Sequence, residues 1–304
     1  MSGAPEVVPN QAISDIELLV ADYLAQQRSR GLSPRTIALT SNVLERTLLP
    51  WCRREAIDHG GQLTQRMVDR FGAELIDRQL ARESVRTYTR TIGTFVRWAQ
   101  AEGAVASKVR LHQPKAEKKL VDILNRDDVV RLETVANAER DKLIIRLLAD
   151  SGIRLGELLS LRPGDLLEVR RERYLKVRGK GARERLVPVP PTLFQRLRRY
   201  AARGHAMLFV TLRRSPKTGD CKPLAARSVQ NMLAFNAEAA GLGRRVHPHL
   251  FRHSYATWAL RKGMNPLQLQ RILGHADLTM IANVYSHLNA SDSYAAMLAV
   301  LQDD

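Results

Sequence analysis

The sequence predicts a mainly α-helical protein with a small antiparallel β element, arranged as an N-terminal helical bundle followed by an α+β domain. Three observations carry that expectation. Apolar residues recur at helical spacing through residues 14–102. In the second half the helical pattern is interrupted by two short β-type runs flanking a glycine-containing tip at 179–184. A length of 304 residues, at roughly 100–200 per domain, suggests two domains.

In chain order, Ser14 is placed to cap a first helix. Glu17 completes a capping box, and Ile16, Leu19, Val20, Tyr23 and Leu24 supply the apolar stripe. Gly31 ends that helix, and Ser33-Pro34 reads as a cap followed by proline at the first helical position. A second helix runs to about Arg54 on Ile37, Val43, Leu44 and Leu48, and a third covers about 64–78. A fourth covers about 83–101 on Val85, Tyr88, Ile92, Phe95 and Val96. Arg82, Arg86 and Arg90 fall along one face of it, with Arg97 beyond; such a run is either a solvated face or a track for a phosphate backbone. Residues 1–106 thus form the first domain. Residues 107–122, with Lys108, Arg110, Lys115, Lys118 and Lys119 and little apolar periodicity, read as a flexible basic linker.

Residues 123–304 form the second domain. Helices are expected at about 126–136, 139–150, 155–161, 191–202, 225–240, 250–262, 266–273, 278–285 and 291–302. The runs 174–178 and 185–189 are expected to pair as a hairpin. The last helix carries Tyr294, Met297, Leu298 and Leu301 on a single stripe, and a helix that short must dock against something to be stable.

Charge narrows the function. Lys and Arg number 48 against 31 Asp and Glu, a formal net charge of +17. Both halves share the excess: 18 basic against 13 acidic residues in 1–119, and 30 against 18 in the remainder. Such an excess implies a polyanionic partner, most simply nucleic acid; a generally basic protein is the bland alternative. A hydrophobic fraction of 44% excludes wholesale disorder. Cys52 and Cys221 have no metal-ligand spacing and are too few for a disulfide framework, which points to a reducing cytoplasm. Residues 1–11 do not form a signal peptide, and no long uncharged apolar run spans a membrane. A nucleotide-binding loop, His-Glu-x-x-His and paired-cysteine signatures are all missing, so no metal, nucleotide or other cofactor is expected.

Individual residues are ambiguous alone. Arg154 opens a helix whose dipole a cation opposes by about 0.3–1 kcal/mol, so it is better placed to hold an anion than to stabilise the helix. His249 and Arg252 share the first turn of another helix and one face of it, where they can hold one phosphate together. His253 reads as a packed core histidine and His247 as structural. Gly274 is a helix stop permitting close approach, His275 follows it, and Asp277 reads as the cap of the helix leading to Tyr285. Lys180, at the hairpin tip between two glycines, is either a polar turn residue or a cation that reaches into a site.

The conjunction is specific. Arg154, Lys180, His249-x-x-Arg252, Leu-Gly-His275 and Tyr285 ten residues later, in that order, resemble the tyrosine recombinase (phage integrase) family along nearly the whole chain. The resemblance implies an N-terminal core-binding domain of the helical kind, including Gly-Leu-Ser-Pro-Arg-Thr at 31–36, and a recombinase catalytic domain over 123–304. It implies site-specific breaking and rejoining of double-stranded DNA, with Tyr285 as nucleophile and a Holliday junction between the two exchanges. Arg154, Arg252, His249 and His275 would hold the phosphate, and Lys180 would act as general acid. A homotetramer on paired sites, monomeric when free, follows from the same likeness. With only about a dozen residues ahead of the first helix, the layout resembles Xer recombinases and small integrases without an extra arm-binding domain. Three alternatives stay open: a type IB topoisomerase that religates the same strand, a DNA-binding module without catalysis, and a helix-turn-helix regulator.

Overall fold

The computed structural model describes residues 15–106, 108–114, 122–179 and 184–274. The chain divides into two compact units between residues 118 and 119.

The first unit contains α1 (Asp15–Ser29), α2 (Pro34–Val43), α3 (Leu49–Arg54), α4 (Gln65–Asp77) and α5 (Arg82–Ala101). The start signal expected at Ser33-Pro34 acts as read, and a cap at Thr64 joins it. The Ser33 hydroxyl accepts the Thr36 N–H at 3.2 Å with Pro34 in the first turn, and Thr64 accepts the Met67 N–H at 3.4 Å. The expected second helix is α2 and α3 run together through a π-helical turn at Leu44–Leu48. Pro50 explains the wider turn: it has no N–H to give, and its ring crowds the carbonyl one turn back. The Leu49 N–H accordingly bonds the Leu44 carbonyl, five residues back. The core closes on Ile16, Leu44, Trp51, Phe71 and Phe95, with the Trp51 and Phe71 rings 4.8 Å apart. Ser14 lies outside the described residues.

The expected free linker is corrected over 108–114. Val109 is buried and Leu111 packs on the first unit's core. The Arg110 N–H donates to Gln65 Oε1 at 2.8 Å, and Gln65 Nε2 donates back to the Arg110 carbonyl at 2.9 Å. Two apolar residues are too few to show a period, so this strap carries no signal in the residue pattern. Residue 107 and residues 115–121 lie outside the described set.

The second unit contains α6 (Arg126–Val135), α7 (Glu139–Ser151), α8 (Leu155–Ser160), β1 (Leu166–Val169), β2 (Glu172–Arg178), β3 (Glu184–Pro188), α9 (Pro191–Ala201), β4 (Val210–Arg214), β5 (Cys221–Pro223), α10 (Ala226–Ala239), α11 (Pro248–Arg261) and α12 (Pro266–Leu273). The expected hairpin is β2–β3, in register from Tyr174 opposite Pro188 to Arg178 opposite Glu184. Two pairings were not expected. β1 adds an antiparallel third strand to β2, and β4 pairs with β5. The β1–β2 loop is Arg170-Arg171, both at positive φ (49° and 69°). A two-residue hairpin loop of this kind usually announces itself by Asn-Gly, and an Arg-Arg pair does not. Leu175, Val177 and Val187 turn one sheet face into a core shared with Leu147, Phe194 and Phe251. The expected helices at 278–285 and 291–302 lie outside the described residues. Among the described residues, no helix is long and apolar enough to cross a membrane.

Candidate active site

The site is assembled where α7 ends, α8 begins, and α11, α12 and β3 meet them. Gly152 terminates α7 in the left-handed conformation, φ 61°. A Cβ there would sit 2.6 Å from a Tyr255 ring carbon and 2.9 Å from Leu273, so both backbone and space call for glycine. This tight turn delivers Arg154 to the start of α8.

Arg154 is partnered by its own helix. The Glu157 carboxylate accepts the Arg154 backbone N–H at 2.8 Å and its guanidinium at 3.2 Å. An acidic residue in the first turn also answers the helix dipole that Arg154 opposes. Arg252, one turn into α11, is only 2% exposed. It donates to the Gly152 carbonyl and to the Leu273 carbonyl, both at 2.8 Å. Arg154 donates to the same Leu273 carbonyl at 3.3 Å. Two arginines 98 positions apart in the sequence thus converge on one backbone oxygen at the C-terminal end of α12.

A third arginine completes the cluster. Arg185 on β3 forks onto both oxygens of Glu157, each at 2.8 Å, and its Nε donates to the Ile272 carbonyl at 2.7 Å. Gly274, at φ 86°, lies so close that a Cβ would stand 3.3 Å from the Arg185 guanidinium. Two guanidiniums, Arg154 and Arg185, meet the Glu157 carboxylate, and Arg252 joins them at the negative end of α12. Burial pushes Glu157 upward. The Arg185 fork and the Arg154 N–H and charge outweigh burial and hold it below the usual carboxylate range.

His249 is exposed one turn ahead of Arg252 on α11. His247 is structural, as expected: its ring nitrogen accepts the Leu250 N–H at 3.2 Å and caps α11. Burial, then the neighbouring His249 and Arg245, push its pKa down, so the capping acceptor stays unprotonated to lower pH. His253 is half-buried rather than enclosed, a correction to the core reading. Tyr255 is buried against Gly152, and burial raises its hydroxyl pKa, which argues against it as a nucleophile. Lys180, His275, Asp277 and Tyr285 lie outside the described residues. Of the expected site residues, the structure therefore brings Arg154 and Arg252 together, and His249 is exposed three residues before Arg252 on α11. Glu157 and Arg185 were missed. Glu157 was within reach of sequence reasoning as an i, i+3 partner of Arg154, whereas Arg185 meets Glu157 only across 28 positions of chain.

The family model for the phage integrase family matches residues 116–292. The chain is 30% identical over 274 residues to the tyrosine recombinase XerA of Thermococcus onnurineus, covering 88% of this chain and 89% of that one. It is 27% identical over 291 residues to XerD of Staphylococcus haemolyticus, covering 90% and 95%. Among solved structures, the XerH site-specific recombinase in its post-cleavage complex with a palindromic difH substrate superposes with a TM-score of 0.71 at 18% identity. That match covers 97% of this chain and 86% of the other, and shows the shared fold. With the model spanning more than half of the sequence and relatives matched nearly end to end, the chain belongs to the phage integrase family of tyrosine recombinases.

Proposed function

We propose that this chain, a tyrosine recombinase that breaks and rejoins DNA at specific sites, does so through a 3′-phosphotyrosyl bond to Tyr285. The Tyr285 oxygen attacks the scissile phosphorus, the bond to the 5′-oxygen breaks, and a free 5′-hydroxyl leaves. The phosphodiester energy is kept in the phosphotyrosyl bond, so the cycle needs no nucleotide. Attack by a 5′-hydroxyl from the partner duplex reverses the step and exchanges strands, leaving a Holliday junction after the first pair of exchanges.

The observation that carries this reading is the convergence of Arg154 and Arg252 on the Leu273 carbonyl. Two guanidiniums held on one oxygen are spaced to take the non-bridging oxygens of a phosphate. There they offset charge that grows in the pentacoordinate transition state. His249, exposed on the same helix as Arg252, adds a hydrogen bond and can accept the tyrosine proton; His275 supplies a second hydrogen bond. Lys180 protonates the departing 5′-oxygen, which would otherwise leave as a poor alkoxide. The chain's net charge of +17 supports a double-stranded DNA substrate held largely through its phosphates. On paired sites four copies act together. Two cysteines without a disulfide fit action in a reducing cytoplasm.

A nicked suicide substrate tests the assignment. Wild-type protein should become covalently trapped, in excess chelator as well as without it. Tyr285→Phe should bind the same DNA and not be trapped. Equal trapping of the variant overturns Tyr285 as nucleophile, and failure of two sites to exchange partners favours a topoisomerase.

A further inference from the structure

Arg185 is firmly anchored in the cluster, and the reaction as written gives it no task. Its three nitrogens are all engaged: two on Glu157 and one on the Ile272 carbonyl. It is 14% exposed and Glu157 5%, so this pair is removed from water. Breaking one partner of such a pair leaves the other charge uncompensated. Arg185 also ties together three elements that are distant in sequence: β3, the start of α8, and the end of α12, next to Gly274.

The consequence for Arg154 follows from the carboxylate. Glu157 has two oxygens, and both the Arg154 backbone and the Arg154 guanidinium lean on them. With Arg185 occupying both oxygens in a planar fork, the carboxylate is already neutralised and its plane is fixed. Without Arg185, the single cation nearest the carboxylate along the chain is Arg154, whose positive charge would be spent on Glu157. The net charge of the cluster would fall by one, and the Arg154 guanidinium would be drawn toward its own helix.

We propose that Arg185 is a positioning residue for phosphodiester cleavage: by holding Glu157 and the end of α12, it leaves the charge of Arg154 available to the scissile phosphate. The inference rests on the reading of Arg154 as a phosphate ligand. It concerns charge at the non-bridging oxygens, so it makes a demand that a merely structural role would not. Replacing one non-bridging oxygen by a methyl group gives a neutral methylphosphonate, which needs less positive charge around it.

The experiment is single-turnover cleavage of a half-site with a normal scissile phosphate and of the same half-site with a methylphosphonate there. Arg185→Ala should slow cleavage of the phosphodiester by roughly 10–100-fold, the order seen when one charge-stabilising group is lost. Half-site affinity should stay within about twofold, and on the methylphosphonate the deficit should shrink to about threefold or less. Arg185→Lys, which keeps a cation but loses the fork, should fall between; it carries the same comparison if the alanine variant does not fold. Wild-type cleavage by both variants overturns the inference, as does a deficit equal on the two substrates. Arg154→Ala is the control. If its deficit is also equal on both substrates, the reading of Arg154 itself fails; if its deficit shrinks and that of Arg185→Ala does not, only the role given to Arg185 is lost.

Discussion

Arginine is abundant in both units, and the second unit adds to the surface pairs that both carry a use the first does not show. In the first unit the ion pairs lie on the surface: the Arg53 side chain is 64% exposed where it meets Glu17, and Arg70 is 59% exposed where it meets Glu55. Arg90 is exposed on α5. In the second unit Arg252 is 2% exposed and is fastened to two backbone carbonyls, while Arg185 is forked onto a buried carboxylate. An exposed arginine contributes charge, screened by salt and free to move. A buried one contributes direction, because its plane is set before any ligand arrives. The first use suits grip along a backbone; the second suits a single phosphate held in one pose.

The sharpest way to break this contrast is to remove one arginine of each kind. Arg252→Ala should lower single-turnover cleavage by about 10²–10³-fold, as for loss of a preorganised oxyanion ligand. Arg90→Ala should leave the cleavage rate of bound DNA unchanged, and should weaken binding with a salt slope shallower by about one. Similar behaviour of the two variants would erase the distinction.

Next in size is a pair of glycines. Gly152 and Gly31 both lie at positive φ, 61° and 69°, but only Gly152 has neighbours where a Cβ would be. Gly31→Ala should cost about 1–2 kcal/mol from backbone strain alone. Gly152→Ala should cost about 1–3 kcal/mol more, because Tyr255 and Leu273 must give way. Hydrogen exchange resolved by peptide would report each unit separately, and equal costs would show that the second unit yields more easily than its packing implies.

Acid should act on the second unit through named groups. Burial, His249 and Arg245 hold the folded-state pKa of His247 below its usual 6.5, so the unfolded chain binds the extra proton first and stability falls as pH drops through that value. Glu157 follows lower down. Burial raises it but its arginine partners hold it below the usual 4.5, so its contribution is present above that value and lost as pH falls through the folded one. Exchange protection of α8 and α11 should therefore decline in two steps on acidification, and Glu157→Gln should remove the lower one. The smallest effect belongs to the surface: Arg53→Ala should change stability by no more than about 1 kcal/mol in urea titration.

Much of this was legible in the sequence, for reasons that separate by range. Ser33, Pro34 and Gly274 act within a turn of themselves, so their signals are local and were read directly. The strand β1 was not, because its hairpin loop is Arg170-Arg171, and nothing in that pair advertises positive φ. The strap at 108–114 was read as free because two apolar residues make no period. At the site, His249-x-x-Arg252 was visible as one helical face. That Arg252 would be buried on the carbonyls of Gly152 and Leu273 was not, since backbone oxygens carry no residue-type signature. Arg185 shows the same limit: like any strand residue it shares a sheet face with Val187, two positions on, and it finds its partner only through the fold.

Those carbonyls have a consequence for anyone scanning the protein by mutation. The oxygens of Gly152, Ile272 and Leu273 that hold the arginines are main-chain atoms, present whatever side chain is installed. A library of single substitutions along the end of α12 will read out core packing at Leu273 and little about its role as an arginine acceptor. Insertions and deletions behave differently. Adding or removing one residue in α12 rotates the helix end by about 100° and shifts it by about 1.5 Å, which takes every acceptor out of line at once. The α12 end should therefore tolerate changes of letter at Ile272, which is half-buried, and reject changes of length, a pattern opposite to that of an ordinary exposed helix terminus.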